Sequence, residues 1–352
     1  MFILVINLGS TSSKVALYED DREIQKKTYS HSREDLAGFA EVNDQFDYRY
    51  DCVMGFLDEI GFDPDKLDCV VSRGGAPPNV RTGATILGDN LSRALLQRPM
   101  EPQPACLSAP IGYKIAHGLG IPAYVIDPIT ANELNPLARI FGVKGIEHES
   151  FAHVLNTRAM SMAAAKDLGI PFDECSIVAA HFGGGNSLAM WYKGLLHETV
   201  PGDFGALSAE RCGFIRNKKL LELTRDYDYK TIMGWYHGKG GMVSLLGTND
   251  LREVEKMVEE GDEYATLCAG AMAYQLSKSI ASLFPTVNGD VDAIVLTGGG
   301  AYWRWLVDEI KKRIAFLSVP VFVKPGENEM QALAEGALRV MLGEENAHTY
   351  EG

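Results

Sequence analysis

The chain has 352 residues, of which 46% are hydrophobic, and its formal net charge at pH 7 is −14. This length exceeds the usual size of a single hydrophobic core and predicts two domains, while the negative charge argues against nucleic acid as a partner. The six cysteines form no CxxC pair, which favours free or buried thiols over disulfides or a zinc site. No apolar run reaches membrane-spanning length and no basic leader precedes the first run, so we expect a cytoplasmic protein without a membrane partner.

The first predicted element is a β-hairpin with a polar loop. An apolar run at residues 2–6 leads into the segment INLGSTSSK, and a second apolar run follows at residues 15–18. Glycine lets a backbone approach an anion closely, and successive N–H groups with neighbouring hydroxyls form a concave anion site. Lys14 adds a positive charge, and the Asn7 carbonyl oxygen can hold a metal ion directly or through water. The segment predicts a phosphate-binding loop, with an ordinary tight hairpin as the alternative.

A strand and a helix follow this hairpin. Residues 68–75, DCVVSRGG, form a short apolar run that ends in glycines, with Arg73 just after the run. Ligands of α/β sheets bind beyond the carboxyl ends of strands, so we expect Arg73 to face a ligand rather than a surface ion pair. Apolar residues repeated every four positions predict a helix across residues 107–119.

The second half of the chain repeats the hairpin and the strand. Residues 176–194 place a glycine-rich loop, HFGGGNS, between two apolar runs, and Gly183 lies 174 residues after Gly9. The same offset aligns Ser187 with Ser13. Residues 292–300, DAIVLTGGG, repeat the strand that ends in glycines. Because both units recur in the same order, we predict a duplicated domain.

Three further helices are predicted in the second half. One spans residues 249–261 between a capping Asn249 or Asp250 and Gly261. Another follows the triple glycine, with an apolar stripe over residues 306–317, and the last covers residues 328–343. Trp303 and Trp305 are interpreted as packing residues rather than a stacking platform. Helices that alternate with strands predict an α/β fold.

Two related phosphate loops, one in each half, predict a nucleotide polyphosphate held in a cleft between the two domains. Other nucleotide motifs are missing. Lys239 in HGKGG is followed by glycine rather than by the Ser or Thr of a P-loop, and neither glycine triplet completes a GxGxxG motif.

These segments, in this order, resemble the superfamily of actin, the sugar kinases and the heat-shock ATPases. Within it the chain resembles the acetate and butyrate kinase family, and its butyrate kinase branch most closely. The resemblance covers nearly the whole chain, and GTNDLREVEKM and PGENEMQALAEGALRV are its most branch-specific stretches. The other segments are VINLGSTSSK, SRGG, SAPIGYKIAHGLGIPAYVIDP, SFAHVLN, HFGGGNS, LSAERCG and LTGGGAYW. The chain departs from the family pattern at Phe182, Asn186, Ala209, Cys212 and Asn132.

The resemblance implies two duplicated ribonuclease-H-like (actin-like ATPase) domains with mixed sheets and an interdomain nucleotide cleft. The first domain would cover residues 1–126 together with a C-terminal helix at 329–352, and the second would cover residues 127–328. The resemblance also implies a homodimer or a higher homo-oligomer.

The resemblance implies roles for individual residues. The metal contacts would be Asn7 and Glu329, with Glu327 close enough to compete. The catalytic residues would be Arg73, Asp127, His153 and Arg211, and Asp127 would either orient an arginine or hold Mg²⁺ through water. The nucleotide contacts would be Gly9, Ser10, Thr11, Ser12, Lys14, His181, Gly183, Gly184, Gly185, Asp250, Arg252, Gly298, Gly299, Gly300 and Ala301.

The implied reaction is the reversible, in-line transfer of a phosphoryl group from ATP to butyrate or a close relative, with Mg²⁺ as cofactor. Acetate, propionate or a branched carboxylate is the first alternative substrate. A non-catalytic, actin-like nucleotide switch is a second alternative, and it would have no use for two arginines. A sugar kinase is a third, and it would need Asp127 as the base.

Overall fold

A computed structural model describes the protein over residues 1–352. The chain divides into two compact units. The first unit comprises Met1–Glu133 and Asn328–Gly352, and the second comprises Leu134–Glu327. Each unit contains one mixed β-sheet with its own hydrophobic core.

The first unit contains a six-stranded sheet. Its strands are β1 (Phe2–Leu8), β2 (Ser12–Glu19), β3 (Arg22–Ser30), β4 (Cys69–Ser72), β5 (Ala84–Ile86) and β6 (Ala123–Ile126). The spatial order is β3-β2-β1-β4-β6-β5, with β1, β4 and β6 parallel and the other strands antiparallel to their neighbours. Strands β4 and β6 are buried along their whole length and β1 along most of it. Burial on both faces explains why these strands are continuous apolar runs in the sequence.

Four helices accompany this sheet: α1 (Arg33–Leu36), α2 (Phe46–Glu59), α3 (Asp89–Gln97) and α4 (Ser108–Leu119). Helix α4 is the helix predicted at residues 107–119. Leu107 is the last residue of a 3₁₀ turn that precedes this helix, so the helix begins at Ser108. A Cβ at Gly112 would lie 2.4 Å from the Ser72 Oγ, so this glycine allows α4 to pack closely against β4.

The second unit contains a five-stranded sheet and seven helices. The strands are β7 (Ser176–His181), β8 (Ser187–Tyr192), β9 (Leu195–Val200), β10 (Ala293–Gly298) and β11 (Val321–Pro325), in the order β11-β10-β7-β8-β9. The helices are α5 (Val154–Leu168), α6 (Asn217–Leu223), α7 (Tyr229–Tyr236), α8 (Gly241–Leu246), α9 (Leu251–Glu259), α10 (Glu263–Leu283) and α11 (Arg304–Ile314). Helices α9 and α11 are the ones predicted at 249–261 and 306–317.

The last helix, α12 (Glu329–Met341), returns to the first unit. It packs against β1, β4 and β6. A Cβ at Gly336 would lie 2.7 Å from the Ile126 side chain, so the glycine permits close packing. This docking places Glu329, the first residue of α12, near the end of the central strand.

The duplication predicted from the sequence is confirmed by strand register. Ile3 pairs with Cys69 in the first sheet, and Ile177, 174 residues after Ile3, pairs with Ala293 in the second. The contacts at the strand starts are also repeated. The backbone N–H of Phe2 donates to the Asp68 carboxylate at 2.7 Å, and that of Ser176 donates to the Asp292 carboxylate at 2.7 Å. The two mixed-sheet α/β domains are therefore related copies, as expected.

The alignment of the two hairpin loops is wrong by one residue. Asn7 pairs with Lys14 in the first hairpin, whereas His181 pairs with Ser187 in the second. With Asn7 equivalent to His181, Ser187 therefore corresponds to Lys14 and not to Ser13. The second loop is one residue shorter, a difference that sequence matching at a constant offset cannot reveal.

Three predictions from composition and packing can be compared with the structure. All six cysteines are free thiols, as expected. Trp303 is buried and stacks on Trp305 with ring centroids 5.5 Å apart, which agrees with a packing role. None of the helices combines the length and the apolar character needed to cross a bilayer.

Candidate active site

Three polar side chains of the first unit meet where β1 and β4 end. The buried Asn7 donates from Nδ2 to the Glu329 Oε2 at 2.7 Å. The Arg73 Nη1 lies 3.4 Å from both the Asn7 Oδ1 and the Glu329 Oε2. Arg73 directly follows β4, and Glu329 begins α12, so the sheet and the returning helix together build this cluster.

The loop between β1 and β2 presents some of its predicted donors and not others. The Gly9 N–H donates to the Ser12 carbonyl oxygen at 2.8 Å, so it is used within the loop. Ser10 and Thr11 are exposed, and so is Lys14. Lys14 pairs directly with Asn7 in the β1–β2 ladder, which places both side chains on one face of the sheet. Exposed hydroxyls and Lys14 are therefore the groups that a ligand would meet first.

Arg49, which no sequence motif indicated, supports this loop from the interior of the unit. Arg49 is fully buried and donates to backbone carbonyl oxygens of the loop. It occupies a position in the buried stripe of α2, where Val53, Phe56 and Leu57 are apolar. A charged residue at an apolar position of a helical stripe is a signal that could have identified it, because buried cations require polar partners.

A second buried polar residue, His31, lies beside the same loop. Its Nε2 lies 2.8 Å from the Ser13 Oγ, and its Nδ1 lies 2.8 Å from the Tyr48 hydroxyl. Burial, with a smaller effect of the neighbouring Arg49, lowers the pKa of His31. A neutral imidazole needs one donor and one acceptor, and two hydroxyl groups can supply either role.

Asp127 lies at the end of β6 and is held by the backbone. Its Oδ1 accepts the Gly83 N–H at 2.6 Å, and its own N–H donates to the Gly83 carbonyl oxygen at 3.1 Å. Asp127 has a φ of 45°, a left-handed conformation that is uncommon for a residue other than glycine. Such strain is concentrated at functional sites, and these contacts fix the carboxylate orientation.

In the second unit the two glycine segments pack directly against each other. The Gly300 N–H donates to the Phe182 carbonyl oxygen at 2.8 Å, and a Cβ at Gly298 would lie 2.5 Å from that same oxygen. Gly298 has a φ of 89°, so glycine is required there both for conformation and for space. The predicted nucleotide segments Gly183–Gly185 and Gly298–Ala301 are thus brought together.

The two departures in the second loop have structural roles. Phe182 is fully buried beneath Gly300. Asn186 accepts the Gly183 N–H at 3.1 Å and donates to the Leu207 carbonyl oxygen at 2.7 Å. The Gly183 N–H is therefore committed inside the loop, as the Gly9 N–H is in the first unit.

Two histidines stack next to this loop. The rings of His153 and His181 have centroids 3.9 Å apart and an interplanar angle of 11°. The Ser187 Oγ accepts the backbone N–H of His153 at 2.9 Å and lies 2.7 Å from its Nδ1. The serine hydroxyl can donate to that nitrogen, which favours the tautomer with the proton on Nε2. The Asn156 Oδ1 accepts from the His181 Nδ1 at 2.8 Å and fixes the second ring.

Arg211 lies against the second glycine loop. A Cβ at Gly185 would lie 3.0 Å from the Arg211 Cζ, and a Cβ at Gly202 would lie 2.8 Å from its Nη1. The segment that carries Arg211 is fixed by Ser208, whose hydroxyl accepts the Arg211 N–H at 3.0 Å and donates to the Gly184 carbonyl oxygen at 2.6 Å. The guanidinium has no carboxylate in ion-pair contact.

The start of α9 lies near the second glycine loop. Asp250 caps this helix. Its carboxylate accepts hydrogen bonds from the backbone N–H and from the Nε–H of Arg252. The side-chain hydrogen bond from Arg252 lowers the pKa of Asp250 to about 2. Asn249 donates to the Glu210 Oε1 at 2.8 Å, and Glu210 lies next to Gly184. The half-buried Asp250 and the exposed Arg252 thus form an ion pair near the glycine loop.

The donor set of Asn7 and Glu329 fits a magnesium ion. Mg²⁺ prefers oxygen ligands and is usually held by one or two carboxylates, with phosphates and waters completing the shell. No group of three or more His, Cys, Asp or Glu side chains suited to a metal occurs in the chain. The competing Glu327 belongs to the second unit, where its Oε1 lies 3.5 Å from the His181 Nε2. The carboxylate beside Asn7 is therefore that of Glu329.

Comparison with known proteins places the chain in a family and identifies solved structures with a similar fold. Residues 135–319, just over half of the chain, match the sequence model of the acetokinase family. The acetate kinase of Porphyromonas gingivalis superposes with a TM-score of 0.78 at 18% identity, over 96% of this chain and 98% of that one.

Two further solved structures are similar over their whole length. The acetate kinase of Entamoeba histolytica has a TM-score of 0.76 at 17% identity, over 96% of this chain and 98% of that one. A propionate kinase of Francisella tularensis subsp. tularensis has a TM-score of 0.74 at 18% identity, over 95% and 98%. At such low identity these likenesses establish the fold.

Proposed function

The chain belongs to the acetokinase family, a family of carboxylate kinases, and we propose from this premise that it transfers the terminal phosphoryl group of ATP to a short-chain carboxylate. The products are an acyl phosphate and ADP, and the reaction is reversible. Butyrate or a close relative is the proposed substrate, because the sequences around α9 and α12 resemble the butyrate branch most closely.

This reaction needs cations more than it needs a base. A carboxylic acid with a pKa of about 4 to 4.5, by analogy with Asp and Glu, is already ionised at neutral pH. The barrier arises from bringing two anions together and from charge that spreads over the transferred phosphoryl group. Guanidinium groups pair with carboxylate and phosphate oxygens through two parallel hydrogen bonds. Arginines in fixed positions therefore supply the positive charge that this reaction requires.

In the first unit we assign Asn7 and Glu329 to the metal and Arg73 to the anionic substrates. A magnesium ion bound there would neutralise phosphate charge. The contacts of Arg73 with both of these residues hold its guanidinium at the strand ends, where sheet ligands bind. Lys14 and the hydroxyls of the loop would contact phosphate oxygens from the same face.

In the second unit we assign the two glycine segments to the nucleotide and Arg211 and His153 to the transferred phosphoryl group. The Ser187 hydroxyl lies 2.7 Å from the His153 Nδ1, and a hydrogen bond donated by this hydroxyl would favour the tautomer with the proton on Nε2, which suits donation to a phosphoryl oxygen. The ion pair of Asp250 and Arg252 is assigned to the nucleoside.

The observation that carries the proposal is the position of Arg211. Its guanidinium lies against a glycine loop, has no carboxylate in ion-pair contact, and fits there because positions 185 and 202 lack a Cβ. A structural arginine would normally pair with an acid, whereas an arginine that serves a phosphoryl group must stay available for it. A non-catalytic nucleotide switch would not require an arginine without a paired carboxylate beside the glycine loop.

A substrate panel tests the proposal. Purified protein with ATP and Mg²⁺ is given butyrate, isobutyrate, propionate or acetate, and acyl phosphate is trapped with hydroxylamine. We expect the highest kcat/KM with butyrate or isobutyrate. A preference for acetate or propionate would support the alternative substrates within the same family. ATP turnover without acyl phosphate, or turnover that depends on glucose or glycerol, would reject a carboxylate kinase.

We also propose that the protein acts as a homodimer in the cytoplasm. The exclusion of water during transfer, which limits wasteful ATP hydrolysis, is expected of such a kinase. Light scattering coupled to gel filtration would show a mass of one subunit if the dimer is wrong.

A further inference from the structure

A fully buried arginine lies beneath the polar loop of the first unit. Arg49 on α2 has no exposed surface. Its Nη2 donates to the Ser10 carbonyl oxygen at 3.2 Å, and its Nη1 donates to the Ser12 carbonyl oxygen at 3.2 Å. The Nη1 also donates to the Ser13 Oγ at 3.3 Å, and the Nε donates to the Gln45 Oε1 at 2.9 Å.

All of these acceptors are neutral, so no carboxylate compensates the charge of Arg49. A buried ion without a counter-ion is costly, and proteins normally pair such groups. Arginine nevertheless remains protonated inside proteins. An anion on the outer side of the loop would be separated from this guanidinium only by the loop backbone, where the screening is weaker than in water. The buried charge therefore makes the loop a favourable place for an anion.

The hydrogen bonds of the loop also determine which way its N–H groups point. The Ser10 carbonyl faces Arg49, whereas the Thr11 carbonyl accepts the backbone N–H of His31, directly after β3, at 2.8 Å. In a planar trans peptide the carbonyl and the following N–H point in opposite directions. The N–H group of Thr11, which follows the Ser10 carbonyl, therefore points away from the buried arginine.

We propose that Arg49 is a positioning residue for phosphoryl transfer. It orients the outward N–H group of Thr11, and its charge attracts a phosphate-class anion to the outer side of the loop without touching that anion. This inference rests on the proposed carboxylate kinase function, because that reaction provides the phosphate anion. It adds to that function a cation that lies behind the loop rather than within reach of the substrates.

The first test compares Arg49→Met, Arg49→Lys and Arg22→Met. Arg22 is an exposed arginine on β3 of the same unit, paired with Glu19, and its loss is a control for one positive charge. We expect kcat to fall about ten- to hundredfold in Arg49→Met, the range for a lost interaction with a charged group. Arg49→Lys should recover part of the loss, the KM for the carboxylate should change less than about twofold, and the control should match the wild type.

The second test uses the wild-type protein and inorganic phosphate as the probe. The ¹⁵N signal of the Arg49 Nε–H and the amide signal of Thr11 should shift on titration, and the signal of Arg22 should not. This measurement decides the question if Arg49→Met does not fold.

The outcomes separate the two proposals. If no carboxylate yields acyl phosphate, the proposed function fails, and a phosphate titration that still shifts Arg49 would retain the anion site alone. If the wild type is active but Arg49→Met keeps its kcat, or if phosphate leaves the Arg49 signal unchanged, the role of Arg49 is overturned and the function stands.

Discussion

The substitution Gly185→Ala tests the role of Arg211 without removing its charge. The added Cβ would lie 3.0 Å from the Arg211 Cζ, whereas unstrained carbon contacts are about 3.5 Å or longer. The guanidinium must therefore move by roughly 0.5 Å. Since a 1 Å displacement of a catalytic group can cost about 10²-fold in rate, we expect kcat to fall about tenfold, or about 1.4 kcal/mol.

The fold should tolerate this change. Gly185 does not have a positive φ, and the atoms that a Cβ would meet belong to a flexible side chain. The unfolding temperature of Gly185→Ala should therefore remain within a few degrees of the wild type. Circular dichroism during heating, together with steady-state kinetics for ATP and butyrate, provides both measurements.

A double-mutant cycle makes the test specific to Arg211. If Gly185→Ala acts through the arginine, it should lower kcat about tenfold in the wild-type background and by less than about twofold in the Arg211→Ala background. Equal losses in both backgrounds would mean that the alanine disturbs the glycine loop itself, and the inference that position 185 acts on the rate through Arg211 would be refuted.

Three further predictions follow from the same site and from one ion pair outside it. Arg73→Ala and Arg211→Ala should each lower kcat by about 10³-fold or more with nearly unchanged unfolding temperature, and near-wild-type rates in both would contradict their assignment. Glu329→Gln should raise the Mg²⁺ concentration needed for half-maximal rate at least about tenfold, as read from a magnesium titration and from Mn²⁺ binding by electron paramagnetic resonance; unchanged metal dependence would move the site elsewhere. The hydrogen bond and ion pair with Glu198 raise the pKa of His148, so its stabilising effect should be complete below pH of about 6.5 and decline as pH rises through the folded pKa. The difference in unfolding free energy between the wild type and His148→Gln should therefore be larger at acidic than at alkaline pH, and a difference that grows with pH would reverse the sign of this argument.

Local patterns predicted the hairpins, the strands that end in glycines and the duplication. Apolar runs and loop composition are properties of short segments, so Gly9 and Gly183 could be matched from the sequence. The one-residue slip at Ser187 could not be found in this way, because register depends on hydrogen bonds between strands and not on the letters of one strand.

Contacts between distant segments could not be predicted. Glu327 and Glu329 are two residues apart, and only the docking of α12 shows that the second of them meets Asn7. Arg49 lies 36 to 39 positions from the loop atoms that it contacts, so no local motif connects them. The family resemblance indicated residues that were expected to face the ligand. A residue proposed to act from behind a loop is not part of such a motif.

The two copies of the hairpin place their cations in different ways, and the difference follows from the loops. In the first unit the longer loop closes over Arg49, whose guanidinium binds inward-facing carbonyl groups and leaves the outer side to N–H groups and hydroxyls. In the second unit the loop is one residue shorter and is closed by Asn186 instead. A neutral amide fills the interior there, and the arginine lies beside the glycine α-carbons, at Arg211. A cation that must contact a phosphoryl group during its transfer needs a position on the ligand side of the loop. A cation that contributes only its electrostatic field and the orientation of the loop backbone can be buried. Under the roles proposed for Arg211 and Arg49, the same fold supplies both kinds of cation, because duplication allowed each loop to change separately.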